Sequence, residues 1–330
     1  MKTLIAIGAH EDDLETHCGG TFAKFAAEGC RCTYVNATTT PHYNPTPDEK
    51  ARDSFPGNEE IIAIRKRESQ KAAALLGAQE VCFWDFKSSY YYKPGTLERV
   101  RLDGMRCASE EYEYLMKQMP GREFITEACN NPASIDYVAG FIERRKPEII
   151  LVPNPCDAHY EHYLVFNLVW RSCRKLFIES KINCRIYAYE QASRAPVMSY
   201  WPTDFVDISE LMELKLKATD CFVSQCADQR LGARRQYCMA QNAFWGKYAG
   251  ASFAEAFWRI EPFFPDAEGA VQMDGFRTQY AGNPQNEVII KACSAVGLRP
   301  PPQGVLRKRG KVIPKFCARQ NLFPYGDPRL

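Results

Sequence analysis

The sequence predicts an α/β protein: a Rossmann-like three-layer sandwich around a mostly parallel sheet, with an irregular C-terminal extension. Three observations carry that expectation. Short β-rich runs alternate with amphipathic helical stretches over roughly the first 190 residues, the pattern of right-handed βαβ units. The runs are apolar on successive positions, as strands covered on both faces should be. The chain, at 330 residues with 45% apolar and 25% charged side chains, has the composition and length for a large buried core.

The elements follow in order. The strands are TLIAIGA (3–9), CTYVNAT (32–38), EVCFWDF (80–86), EIILVPN (148–154) and CRIYAYE (184–190). Helical patterns separate them over about 20–28, 59–76, 135–145 and 159–177. In the second of these, Ile61, Ile62, Arg65, Ser69, Ala72 and Leu76 recur at helical spacing, and Gly77 supplies a C-cap. Beyond 190 the pattern is less regular, with helices expected near 209–223 and 226–243. Connections 39–58 and 87–134 are long, and loops of that size in a compact domain are usually functional. From Gly297 a proline-rich basic run argues for a tail, so the expected division is a domain over 1–260 and an extension over 261–330.

Charge and composition exclude several classes. A net charge of +2 gives no strong field toward nucleic acid or an anionic membrane. No run of about 18 apolar residues is present, so no transmembrane helix and no stable membrane insertion are expected. The apolar run after Lys2 is too short for a secretory signal core. The 14 cysteines include no C-x-x-C pair, and Cys82 and Cys173 sit in apolar runs as small hydrophobes. Reduced thiols imply a cytoplasmic protein.

The first strand runs into GAHEDDLETHCGG (8–20), with His10, Glu11, Asp12, Asp13 and Glu15 at its carboxyl end. A dinucleotide site also follows a first strand, but it needs glycines whose N–H groups meet phosphate. Four acids would repel a pyrophosphate. A cation suits them better, with His10 and Asp13 brought together by one turn of backbone and Asp12 beside them. The bland alternative, one acid capping the following helix, remains open at this point.

The fourth strand runs into NPCDAHYEHY (154–163), where His159 and His162 share a helical face. Two of the chain's five histidines fall here. In a doubly wound sheet the first strand and the first strand of the second half are neighbours, and ligands bind in the crevice at their carboxyl ends. Two acid and histidine clusters, more than a hundred residues apart, would then meet.

AHEDD with the Gly19–Gly20 pair, followed by PNPCDAHYEH, resembles the PIG-L-like (LmbE-like) zinc-dependent N-deacetylases. IRKRESQKAAALLGA (64–78), VDISELMELKLKATDCFVSQ (206–225) and YAGASFAEAF (248–257) are similar to further segments of that family, so the likeness spans about residues 3–260. The resemblance implies that His10, Asp13 and His162 hold Zn²⁺, with Fe²⁺ the alternative ion, and that Asp12 is the general base. It implies that His159 stabilises the oxyanion or protonates the leaving amine, and that Arg65 contacts substrate. Glu161 or Asp157 would fix the tautomer of His159 through a hydrogen bond. Three protein ligands and one open position make a hydrolytic zinc site. The expected substrate is a small N-acylated amino sugar or conjugate, with no nucleic-acid partner and with homo-oligomerisation left open.

Departures fall around the pocket: Glu11 replaces the usual proline, Glu161 the usual aspartate, and Phe222 precedes the Ser-Gln pair where many members have histidine. WDFKSS replaces the family's run after the third strand. These keep a third reading alive, an amidase on another N-acyl natural product or thiol conjugate. A second, from a different class, is a non-catalytic Rossmann-like binding module. Tyrosines in SSYYYKPG (88–95) offer faces for a sugar, although half-buried loop tyrosines explain them more simply.

Overall fold

The computed structural model describes residues 2–93, 95–96, 98–101, 121–157, 159–182, 184–190, 202–225, 230–260 and 276–278. Its centre is an eight-stranded sheet. Five strands are parallel: β1 (Thr3–Gly8), β2 (Arg31–Thr39), β3 (Glu80–Lys87), β6 (Ile149–Pro153) and β7 (Arg185–Tyr189), in the spatial order β3-β2-β1-β6-β7. Each matches an expected strand to within a residue or two. A small antiparallel pair, β4 (Tyr90–Tyr92) and β5 (Arg99–Arg101), follows β3.

Alternation along the central strands explains the layers. Ile5 and Ile7 of β1, with Ile150 and Val152 of β6, face one core. Helices α4 (Ile125–Ala128), α5 (Pro132–Arg145) and α6 (Tyr160–Ile178) close it through Ile125, Val138, Ile142, Val165 and Val169. Leu4 and Ala6, with Ile149 and Leu151, face the other core. There α1 (Asp13–Ala27), α3 (Asn58–Leu75) and α7 (Met212–Thr219) pack through Leu14, Phe22, Ala72 and Leu216. A short helix, α2 (Pro47–Arg52), interrupts the first long connection behind a Thr46–Glu49 capping box.

The region after 190, read as irregular, extends the sheet instead. Helix α8 (Arg230–Ala249) is followed by β9 (Ala254–Ile260), which pairs antiparallel with both β7 and β8 (Asp204–Asp207). A last strand, β10 (Phe276–Thr278), pairs antiparallel with β8. The rest of the expected 261–330 extension lies outside the described residues.

Helix α1 begins seven residues before its expected start and contains a break. Cys18 leaves helical geometry at φ −139°, ψ 17°. Downstream of the break, the N–H groups of Gly20 and Thr21 donate to the Glu255 carboxylate at 2.9 and 2.7 Å. Lys215 of α7 completes this contact, its Nζ 2.6 Å from Glu255 Oε1 with both side chains fully buried. A Cβ at position 20 would lie 2.8 Å from Ile208 Cγ2, so only glycine admits this approach.

Pairing of Leu4, Ile5 and Ala6 with Ile149, Ile150 and Leu151 makes β1 and β6 neighbours. The loops that carry the two histidine motifs therefore open at one edge of the sheet, where its order reverses.

Candidate functional site

The turn after β1 folds back on itself. His10 N–H donates to Asp13 Oδ2 at 2.8 Å, which brings the Asp13 carboxylate against the His10 ring. Helix α6 starts opposite, with His162 in its first turn. His10 Nδ1 and His162 Nε2 are 3.2 Å apart, and Asp13 Oδ2 is 3.6 Å from each. A tetrahedral ion with bonds near 2.0–2.1 Å separates its ligand atoms by about 3.3 Å, so this triangle has the size such an ion needs.

Each imidazole is held from behind by a buried carboxylate. Asp157 Oδ2 lies 2.6 Å from His162 Nδ1, while its other oxygen accepts the His159 N–H at 3.2 Å. Glu161 binds His10 Nε2 and is itself fixed by Ser89 N–H at 2.6 Å and by the Ser88 hydroxyl. These contacts leave His10 Nδ1 and His162 Nε2 facing the triangle, the tautomers that metal ligation requires. The expectation that Asp157 or Glu161 orients the His159 ring is corrected here: their carboxylates meet the rings of His162 and His10 instead.

The His159 ring stacks on His162 with centroids 4.6 Å apart and meets His10 edge-on at 4.8 Å. Nitrogens of His10, His159 and His162 all lie within 4.8 Å of one another, a group able to hold a metal ion. The Asp13 triangle is the tighter of the two sets. His159 Nδ1 is buried with no hydrogen-bond partner.

The electrostatics favour positive charge at the triangle. Burial pulls His10 down, but Asp13 and Glu161 overcome it and push its pKa up to about 10. Burial raises Glu161, yet the His10 contact brings it down to about 2. Asp13 is likewise lowered despite burial, by His162 and His10. Burial and the neighbouring imidazoles bring His159 down to about 3, outweighing the opposing pull of Glu161 and Asp13. Carboxylates this deeply buried require a cation beside them, and the donor set of two imidazoles and a carboxylate fits zinc.

Asp12 occupies the N-cap position of α1 but makes no side-chain cap hydrogen bond, and its backbone is left-handed at φ 96°. The capping alternative thus fails for Asp12, whose carboxylate meets arginines. That backbone conformation is one that non-glycine residues hold only when their surroundings impose it, at a cost of about 1–3 kcal/mol.

Arg65, the expected substrate contact, is held among protein groups beside the site, with Nη2 3.5 Å from Asp12 Oδ1. It is 1% exposed. Its Nη2 donates to Glu11 O at 2.5 Å, its Nε lies 3.2 Å from Glu11 Oε2, and its Nη1 donates to His42 O at 3.2 Å. Glu11 is fully buried. Burial pushes the Glu11 carboxyl up, with the Arg65 guanidinium opposing that shift.

Sequence reasoning missed Arg234, whose Nη2 lies 2.5 Å from Asp12 Oδ2. It sits in the second turn of α8, in a stretch with no flanking motif, so nothing local marked it. His17 stacks flat on Tyr189 at 6.1 Å and stays clear of the triangle. His42, unplaced by the sequence, pairs with Gln225 of the Ser-Gln motif. Tyr91 and Tyr92 are 0% and 4% exposed, so they pack rather than offer open faces. Ten described cysteines are free. No helix of the described residues is long and apolar enough to cross a membrane.

Fold and site together define a class: an α/β protein with a candidate divalent-metal centre at the switch point of a mostly parallel sheet. Residues 5–173, just over half of the chain, match the PIG-L family, described as GlcNAc-PI de-N-acetylase. The chain belongs to that family, and with it to the hydrolases of amide C–N bonds. Over 271 residues it is 22% identical to diacetylchitobiose deacetylase of Thermococcus kodakarensis, spanning 80% of this chain and 85% of the relative.

Two solved structures extend the likeness. N,N'-diacetylchitobiose deacetylase from Pyrococcus horikoshii superposes with a TM-score of 0.55 at 19% identity, covering 78% of this chain and 84% of that one. The 4-carboxy-2-hydroxymuconate hydratase from Pseudomonas putida KT2440 gives 0.55 at 18% identity, covering 79% and 97%. At these identities the superpositions establish the fold, which evidently carries more than one chemistry.

Proposed function

We propose that the chain is a cytoplasmic zinc-dependent N-deacetylase that removes acetyl from a small N-acetylated amino sugar or its conjugate. The observation that carries this reading is the 3.2–3.6 Å triangle of His10 Nδ1, Asp13 Oδ2 and His162 Nε2, backed by a carboxylate on each imidazole. Those three residues would hold the ion, zinc by donor type and iron(II) as the alternative. Bound there, it lowers the pKa of water toward about 7 and polarises an amide carbonyl.

Asp12 adjoins ligand Asp13, so its carboxylate reaches the attacking water without entering the ligand set. As general base it contributes about 10²–10⁴-fold. His159, beside both ligand imidazoles and held by Asp157 at its backbone N–H, offers a ring N–H to the developing oxyanion. Its lowered pKa keeps it neutral near pH 7, which suits a hydrogen-bond donor. The amine leaves with the proton that Asp12 collected.

The relatives named as diacetylchitobiose deacetylases support an N-acetylated amino sugar as substrate class. The test measures acetate release from N-acetylglucosamine, N,N'-diacetylchitobiose and further N-acyl sugars, with zinc and then with chelator. Turnover on at least one, lost on chelation, is the expected result. Asp12→Asn should retain stoichiometric zinc and lose most turnover. Chelator-insensitive turnover would overturn the zinc reading, and zinc loss in Asp12→Asn the base assignment. A panel without turnover would move the substrate to another N-acyl compound.

A further inference from the structure

We propose that Arg234 is a positioning residue for the general base: it aims the Asp12 carboxylate from a helix that neither histidine motif belongs to. The inference rests on the reading of Asp12 as base and adds a part that the family match over 5–173 does not reach.

Asp12 is gripped from two sides. Oδ2 lies 2.5 Å from Arg234 Nη2, and Oδ1 lies 3.5 Å from Arg65 Nη2. The two guanidiniums differ in kind. Arg65 is buried and anchored by Glu11 and the His42 carbonyl, so it is a fixed strut. Arg234 is 22% exposed beside an Asp12 that is 15% exposed, at the solvent-facing side of the turn. The base is therefore set against an immobile wall by a cation from the open side. A left-handed aspartate with no cap hydrogen bond has little else to hold its side chain.

Helix packing fixes where Arg234 stands. One turn further along α8, Cys238 Sγ lies 3.9 Å from Thr16 O, one turn further along α1 from Asp12. Between them the Tyr237 ring meets His17 edge-on at 6.3 Å. At its far end α8 is tied to β9 by Asn242 Nδ2 donating to Ala254 O at 2.9 Å. The helices thus run in register, and Arg234 is delivered to Asp12 by the same contacts that bury Cys238. A guanidinium is suited to the task because its planar fork fixes direction as well as charge.

The consequence is a rate effect without a ligand effect. Displacement of a catalytic group by about 1 Å can lower turnover about 100-fold. With N,N'-diacetylchitobiose as substrate, Arg234→Ala should lose roughly 10–100-fold in kcat while KM, zinc content and the thermal midpoint stay near parental. Millimolar guanidinium should restore part of the lost turnover, and Arg234→Lys should retain more activity than Arg234→Ala. Rescue of this kind separates positioning from a general packing role. Combined with Asp12→Asn, the Arg234→Ala change should add no further loss, because two residues acting through one group are not additive.

Parental turnover in Arg234→Ala overturns the proposal, and so does a loss that multiplies fully on that of Asp12→Asn. Full turnover in Asp12→Asn removes the base assignment and this inference with it. A dead Asp12→Asn beside a fully active Arg234→Ala removes only this inference. A crystal structure of Arg234→Ala decides independently of substrate: the Asp12 carboxylate should swing off its present line, and an unmoved carboxylate refutes the role.

Discussion

Replacing Asp157 tests the proposed ion site at its most exacting point. One carboxylate serves two histidines, with Oδ2 on His162 Nδ1 at 2.6 Å and Oδ1 on the His159 N–H at 3.2 Å. Both are donors, so both oxygens must accept. In Asp157→Asn one oxygen becomes an NH₂ group. If it faces His162, that ring must accept at Nδ1 and carry its proton on Nε2, which closes the nitrogen nearest His10. If it faces His159, it meets an N–H and the segment shifts. Loss of a carboxylate behind a ligating histidine typically weakens metal binding 10–100-fold, which is about 1.4–2.7 kcal/mol at 1.36 kcal/mol per decade.

Asp157→Ala should fall in that range, and Asp157→Asn should be at least as weak because it favours the unproductive tautomer. Competition between apoprotein and a chromophoric zinc chelator at pH 7 measures both affinities directly. Zinc affinity within twofold of parental in both variants would refute the reasoning, since His162 would then need no partner to present Nε2.

Three further outcomes are expected. Asp13→Ala should lose stoichiometric zinc by elemental analysis whereas His159→Ala should keep it and lose about 10²–10³-fold in kcat; the reverse pattern would make His159 the third ligand. Lys215→Met strands the Glu255 carboxylate in a buried site and should cost about 3–5 kcal/mol in urea unfolding, of which Lys215→Met/Glu255→Gln should recover only part, because the amide NH₂ must face one of the two backbone N–H donors of Gly20 and Thr21. Burial holds the pKa of His17 down to about 4 from 6.5, so the unfolded chain takes up a proton that the folded one refuses. Stability from this group is full above pH 6.5 and falls as pH drops toward 4, by up to roughly 3 kcal/mol. His17→Phe should flatten that acid limb in urea titrations at pH 4.5 and 7 with chelator present, and an unchanged limb would assign it elsewhere.

The parallel half of the fold was legible because burial on both faces leaves unbroken apolar runs such as IAIGA and IILVP. Their acid and histidine tails broke that pattern so sharply that the switch-point edge could be read as well. The antiparallel half was not legible: β8 is four residues long and β9 carries the charged Glu255 as its second residue. Its role, accepting two backbone N–H groups 234 and 235 residues away, leaves no local periodicity. The start of α1 was misplaced because Gly19–Gly20 looks like an initiation point, whereas it marks a mid-helix break closed by Glu255. Arg65 was singled out by the family resemblance, which carries no information on the contacts its guanidinium makes with Glu11 and the His42 carbonyl. Arg234 depends on packing between two helices that the chain brings together only at its third quarter.

The Glu255 tether sets an order on how the protein is made. At about 5–20 residues per second, synthesis reaches Glu255 some tens of seconds after Gly20 and Thr21 have left the ribosome. Throughout that interval the nascent amino-terminal layer has its first histidine and acid motif but not the strand that closes the broken helix. A fragment ending at residue 173 would lack the tether, the lysine that neutralises it and Arg234 alike.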